Sequence, residues 1–256
     1  MNKIIALLFI LISLQLQAST EDYECAMSGM TYYPVQKEIS LDPRILFQSY
    51  AFDEKTIQGF KDLPPYLETK TGEKIMLKLL NINEGQMSIS QAMFTPITTL
   101  NPNTDYYLNF QRANQNKKEN PTRYNYEKEE SVRIVWSTTN VKDFVSHNNK
   151  LEINFEKTKV EWYGCGPSAN AIFSVKNTID REVWYRTELV DLETGETSTY
   201  ILHTRENKLY VGHGMCGGAF TYAKTGIYKV RITPMNIDGE LLRTTDWFKY
   251  ESPFVG

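Results

Sequence analysis

The chemistry open to this chain starts with its three cysteines and three histidines. Cys165 sits in Tyr163-Gly164-Cys165-Gly166-Pro167, and Cys216 in Gly212-His213-Gly214-Met215-Cys216-Gly217-Gly218. Sulfur beside imidazole is the donor set of copper or zinc. A structural zinc site, however, needs two Cys or His pairs at regular spacing, and His213 with Cys216 makes only one. No metal and no cofactor is therefore expected. A Cys165 nucleophile with His213 as its base is the other sharp reading. It requires a thiol that an oxidising compartment would consume. The expected fate of this pair is a Cys165–Cys216 disulfide, with the surrounding glycines letting the two backbones approach. Cys25 is then left over, and the sequence leaves open that it forms a different bridge.

The remaining candidates are weaker. No Gly-x-Ser-x-Gly elbow, His-Glu-x-x-His, phosphate loop or dinucleotide glycine pattern occurs. Glu129 and Glu130 are sequence neighbours, whereas glycoside hydrolysis needs two carboxylates facing each other across a cleft. The run Asn236-Ile237-Asp238-Gly239-Glu240 lacks the acidic ligands of a calcium loop and reads as a hairpin turn. Aromatic residues are plentiful, with 12 Phe, 16 Tyr and 4 Trp. Most suit a β core. Tyr124 and Tyr126 stand in a polar stretch and are the residues expected to contact a ligand. No catalytic constellation emerges, and the chain is expected not to be an enzyme.

Charge and targeting narrow the setting. A formal net charge of −3 lacks the basic excess of a nucleic-acid binder. The N-terminus joins Lys3 to an apolar run from Ile4 to Leu14 and ends on the small residue Ala18. Those are the three parts of a secretory signal, so residues 1–18 are expected to be cleaved. The run is shorter than the about 20 residues a membrane helix needs, and no second one follows. Asp22, Tyr23 and Glu24 precede Cys25, which argues against a lipid anchor there. The mature chain is expected to be periplasmic, cell-surface or secreted, without a membrane span. Its expected partner is another envelope or extracellular protein, or a glycan.

The elements that would position these residues are strands. Period-two alternation in Tyr228-Lys229-Val230-Arg231-Ile232 puts the apolar residues on one face. Similar runs lie at residues 75–80, 171–175, 183–190 and 198–203. Gly72, Gly195 and Gly239 follow Thr or Asp and supply the turns between runs. One short helix is expected near residues 53–60, and residues 114–130 read as a long polar loop. A polar stretch at residues 140–149 marks the expected boundary between a first domain, 19–140, and a second, 141–256.

Leu100-Asn101-Pro102-Asn103-Thr104-Asp105-Tyr106, followed by Leu108 and Phe110, resembles the E–F corner of fibronectin type III and bacterial immunoglobulin-like domains. In that corner a tyrosine hydroxyl bonds back to the backbone and pins a crossover between sheets. The resemblance implies that Leu100, Pro102, Thr104 and Tyr106 are structural. Gly226-Ile227-Tyr228-Lys229-Val230 is similar to the corresponding strand in the second half, but lacks the Leu-x-Pro corner. Trp184 resembles the core tryptophan packed on the bridge of such domains. The fold expected is all-β, with two Ig-like antiparallel β-sandwich domains in tandem. The function this implies is a non-catalytic exported binding or structural module of the bacterial cell envelope. The alternative is an extracytoplasmic metal-binding protein or enzyme centred on Cys165, His213 and Cys216.

Overall fold

The computed structural model describes residues 25, 28–112, 118–125, 127–139, 151–177 and 181–255. The expected signal segment, the expected boundary at residues 140–149 and Tyr126 lie outside the described residues. In chain order the strands of the N-terminal half are β1 (Ser28–Tyr33), β2 (Glu38–Ile39), β3 (Ile45–Ala51), β4 (Tyr66–Thr69), β5 (Lys74–Glu84), β6 (Ile89–Pro96), β7 (Asp105–Gln111), β8 (Lys118–Glu119), β9 (Thr122–Asn125), β10 (Glu130–Arg133) and β11 (Val135–Thr138). The C-terminal half contains β12 (Leu151–Tyr163), β13 (Gly166–Asn177), β14 (Val183–Asp191), β15 (Thr197–Leu202), β16 (Lys208–His213), β17 (Ile227–Asn236) and β18 (Phe248–Glu251). One α-helix, α1 (Glu54–Gly59), and a 3-10 turn at Pro253–Val255 complete the described elements. The protein is all-β in class.

In the N-terminal half the strand order is β1-β3-β6-β5-β4-β7-β11-β2, with β8 on β7. The long β5 is the hinge of this arrangement. Its first residues pair with β4 and the rest with β6, with a register shift between Leu79 and Asn81. A shift of that kind bends a strand and lets it serve two faces. β2 joins β11 in parallel; among the described residues every other pairing in the half is antiparallel. Tyr32, Phe47, Phe60, Phe94 and Phe110 form the aromatic centre of the core, mostly in edge-on or tilted contacts 5.0–6.3 Å apart. Asp53 precedes α1 without a side-chain cap; its carboxylate instead pairs with Arg112.

The C-terminal half has two sheets, β12-β13-β16 and β15-β14-β17-β18. Phe173, Tyr185, Tyr200, Leu209, Phe220, Val230 and Ile232 fill the space between them. Residues 114–130, expected to be a loop, instead contribute β8 and β9, and β9 pairs with β10 as a two-stranded ribbon. Arg123 on that ribbon donates to the carbonyls of Tyr32, Pro34 and Val35. Those three acceptors at the end of β1 explain why a polar stretch folds back on the sheet.

The halves meet through a continuous packed seam. Trp184, Ile201, Met235 and Ile237 from the C-terminal half belong to the core of the N-terminal half. Gln91 is fully buried and uses its amide as a strand would. It donates to Ile201 O at 2.8 Å and accepts from Ile201 N at 3.1 Å. At the β5–β6 turn, Met87 exchanges two backbone hydrogen bonds with Gly218. Glu182 receives the N–H groups of Val35 and Gln36. Among the described residues no helix is long and apolar enough to cross a membrane.

Candidate binding groove

The outer face of β12-β13-β16 carries a groove of about 580 Å³. A single backbone irregularity creates it. Ile153 and Phe155 of β12 stand opposite Val175 and Phe173, which are core residues. The register then slips between Phe155 and Lys157. Because side chains alternate with a period of two, one extra residue exchanges the faces of everything beyond it. Thr158 and Val160 therefore turn to the inner face, with Trp162 on the same side but 74% exposed, and Lys157, Lys159, Glu161 and Tyr163 line the groove. The extra residue, Glu156, is tied to Lys208 at 3.1 Å.

β13 supplies the floor through Ser168, Asn170 and Ile172, while Ala169, Ala171 and Phe173 point into the core. β16 adds Lys208 and Tyr210, and the turn before it adds Arg205 and Glu206. Asn170 is locked, with its Nδ2 donating to Ser168 Oγ at 3.1 Å and to His213 O at 3.0 Å. Gly212 lies opposite Asn170. A Cβ there would sit 2.0 Å from Ala169 O and 2.7 Å from Asn170 Oδ1, so only glycine lets the strands and the amide pack. Lys159 bonds Glu161 at 2.7 Å; that bond, with smaller contributions from the phenols of Tyr163 and Tyr210, raises its pKa. Lys157 and Arg205 have no carboxylate partner among the described residues. The groove thus offers four basic side chains against two acidic ones, two phenols and one held amide. Its chemistry is recognition by hydrogen bonds and charge.

The cysteine pairing differs from the sequence expectation. Cys216 is bonded to Cys25, with the Cα atoms 5.5 Å apart and 191 residues between them in sequence. Cys165 is exposed at the β12–β13 turn. The physical reason is the seam: the Gly217–Gly218 backbone lies against Tyr50, Met87 and Ile89, so Cys216 faces the start of β1 rather than the β12–β13 turn. Such a cross-link belongs to oxidising, extracytoplasmic surroundings. His213 is buried, its Nδ1 2.9 Å from Gly214 O. Among the described residues no group of three or more His, Cys, Asp or Glu is set to hold a metal.

The corner residues do come together. Asn101 N–H donates to the buried Tyr106 hydroxyl at 2.9 Å, and Leu100 is buried beneath it. Thr104 donates to Pro102 O at 3.0 Å. The second half repeats the bond: Ala223 N–H donates to the Tyr228 hydroxyl at 2.8 Å, the same five residues apart. Trp184 is fully buried, but in the seam, with its Nε1 donating to Glu182 at 2.7 Å. Tyr124 is 48% exposed on β9 and does not line the groove. Sequence reasoning missed the groove, because Lys157-x-Lys159-x-Glu161-x-Tyr163 alternates out of phase with Ile153 and Phe155.

A second polar feature lies at the seam. The His203 ring stacks on Tyr33 at 3.7 Å and meets Trp184 edge-on at 6.1 Å. Its Nε2 and the Tyr200 hydroxyl are buried without a hydrogen-bond partner among the described residues. Burial pushes the His203 pKa down to about 3. Burial also raises the Tyr33 phenol to about 12, with Glu182 adding to the rise and Arg123 opposing it.

No protein-family model matches the chain, and no curated protein matches it. Solved structures that it resembles include a pullulanase from Anoxybacillus sp. LM18-11, at 10% identity and a TM-score of 0.25 over 86% of this chain. A pullulanase complexed with maltotriose, from the same organism, gives 9% and 0.24 over 83%. A DUF4785 family protein from Legionella pneumophila gives 8% and 0.24 over 91%. The chain spans 25% and 24% of the two pullulanase chains and 59% of the Legionella protein. At these scores the likenesses carry no argument about function.

Proposed function

We propose that this chain is a non-catalytic, exported binding module of the cell envelope, built from two Ig-like sandwiches. Its binding surface is the groove on β12-β13-β16. The groove itself carries the reading: a cavity of about 580 Å³ is within the range of small-ligand sites. Its lining includes neither His nor Cys. Its one serine is engaged, donating to His213 O at 3.1 Å and accepting from Asn170. The Ig-like part rests on the two tyrosine corners, on the parallel β2–β11 edge and on the split of the second half into three and four strands. The exported part rests on the N-terminal signal pattern and the Cys25–Cys216 bridge.

Co-sedimentation of the purified mature chain with isolated envelope material tests this reading. The wild type is expected to pellet with the envelope, and Lys157→Ala/Tyr210→Ala to remain in the supernatant at an unchanged melting temperature. Equal pelleting of both proteins would remove the groove from the reading. Release of reducing sugar or free amine from the envelope material would overturn its non-catalytic part.

A further inference from the structure

The character of the groove narrows its ligand. Apolar surface in it is confined to Ile172 and the two tyrosine rings, so a peptide carrying apolar side chains would bury little there. The β12 row instead is polar throughout, with two ammonium donors, Lys157 and Lys159, followed by the Glu161 carboxylate and the Tyr163 hydroxyl. The amide of Asn170 and the Tyr210 hydroxyl stand on the next two strands. That pattern fits a ligand with a polar group on every unit and a ring that can lie on tyrosine. The charge balance adds a sign. Lys159 and Lys208 are each committed to a glutamate, at 2.7 and 3.1 Å, whereas Lys157 and Arg205 have no carboxylate partner among the described residues. Two cations on either side of β13, offset in part by Glu206, attract an anion and hold it more tightly at low salt, and arginine can take a carboxylate or sulfate through two parallel bonds.

Resting on the groove reading above, we infer that the ligand is an acidic oligosaccharide. Lys157 and Arg205 hold its negative groups, and Tyr163, Tyr210 and Asn170 hold its sugar units. The anionic group is a carboxylate or a sulfate, which share this chemistry. The side chains that bind it do so without covalent change, and the locked Asn170 and Gly212 keep the floor preorganised before it arrives.

Isothermal titration of the mature protein with four probes tests the inference: a hexameric oligogalacturonate, a heparin hexasaccharide, maltohexaose and hexaglutamate. Each is titrated at about 50 and about 200 mM salt. One acidic sugar is expected to bind at least about tenfold more tightly than maltohexaose and hexaglutamate, and to weaken severalfold at the higher salt. Which of the two binds identifies the anionic group. Lys157→Ala/Arg205→Ala should cost about tenfold on that sugar, and Lys157→Arg should restore part of what Lys157→Ala alone loses. Maltohexaose binding equally well would overturn the acidic assignment and leave the groove reading intact. Hexaglutamate binding most tightly would replace the sugar by an acidic peptide. Failure of all four probes, with envelope pelleting still lost in Lys157→Ala/Tyr210→Ala, would sink the ligand class alone. Failure of both would sink the groove.

Discussion

Replacing His203 by Phe should remove much of the acid sensitivity of this fold. The ring is stacked at the seam on Tyr33, 3.7 Å away, and meets Trp184 edge-on, and among the described residues Nε2 has no hydrogen-bond partner. The folded protein keeps this imidazole neutral down to about pH 3, against an ordinary value of 6.5. The unfolded chain takes up the proton below 6.5. Stability linked to His203 is therefore complete above that value and is lost progressively as the pH falls toward 3. Each pH unit in this window costs up to about 1.4 kcal/mol, or about 2 kcal/mol between pH 7.5 and pH 5. Urea unfolding read by tryptophan fluorescence at the two pH values should show a midpoint drop on the order of 1 M from this group. Other titrating groups add to the wild-type drop and are the same in His203→Phe. The difference between the two proteins isolates the histidine. Phe retains the stack on Tyr33 and eliminates an unpaired buried nitrogen, so the variant should match or exceed the wild type at pH 7.5. Equal losses of stability in both proteins on acidification would refute the reasoning.

Three further outcomes are expected. Tyr106→Phe leaves the Asn101 N–H without its acceptor and should cost about 1–3 kcal/mol in denaturant unfolding, with Tyr228→Phe doing the same for Ala223 in the second half. Non-reducing peptide mapping should recover Cys25 joined to Cys216; reduction should lower stability by at most about 5 kcal/mol in the chain-entropy picture, and a Cys165–Cys216 peptide would reject the pairing. Gly212→Ala drives a methyl against the backbone oxygen of Ala169, which nothing flexible can relieve, and should lower the melting temperature by on the order of 10 °C.

What could be read from the sequence was local. Turn glycines such as Gly72, Gly195 and Gly239, all at positive φ, sit between runs whose alternation reports their own strands. The Leu100–Tyr106 corner is legible because its parts lie within seven residues. The Cys25–Cys216 pair is not, because the choice between Cys25 and Cys165 depends on where the Gly217–Gly218 backbone rests, and that contact is made by Tyr50, Met87 and Ile89 from the other half. The groove was hidden by the slip at Glu156. Read with an unbroken period of two, Ile153 and Phe155 place Lys157 and Lys159 on the core side, which looks like a failed strand rather than a binding face. Gln91 and Arg123 look like ordinary polar residues of a β protein until their acceptors, Ile201 O and the carbonyls of Tyr32, Pro34 and Val35, are brought to them.

The arrangement separates stability from recognition. Gln91, His203, Trp184 and the Cys25–Cys216 bridge hold the seam between the halves, and none of them lines the groove. The groove's cations are exposed or half-buried, and their two ion pairs are worth little to folding. Acid and reductant should therefore act on the seam, lowering the denaturant midpoint while leaving the affinity of the still-folded fraction unchanged. Lys157→Ala and Arg205→Ala should do the reverse, weakening binding about tenfold at constant stability. The two residues that couple these roles are Gly212 and Asn170. The glycine lets β16 approach β13, and the amide it accommodates forms the groove floor. A substitution at either should lose binding and stability together, and a Gly212→Ala protein that lost only one of them would break the link drawn between strand packing and ligand recognition.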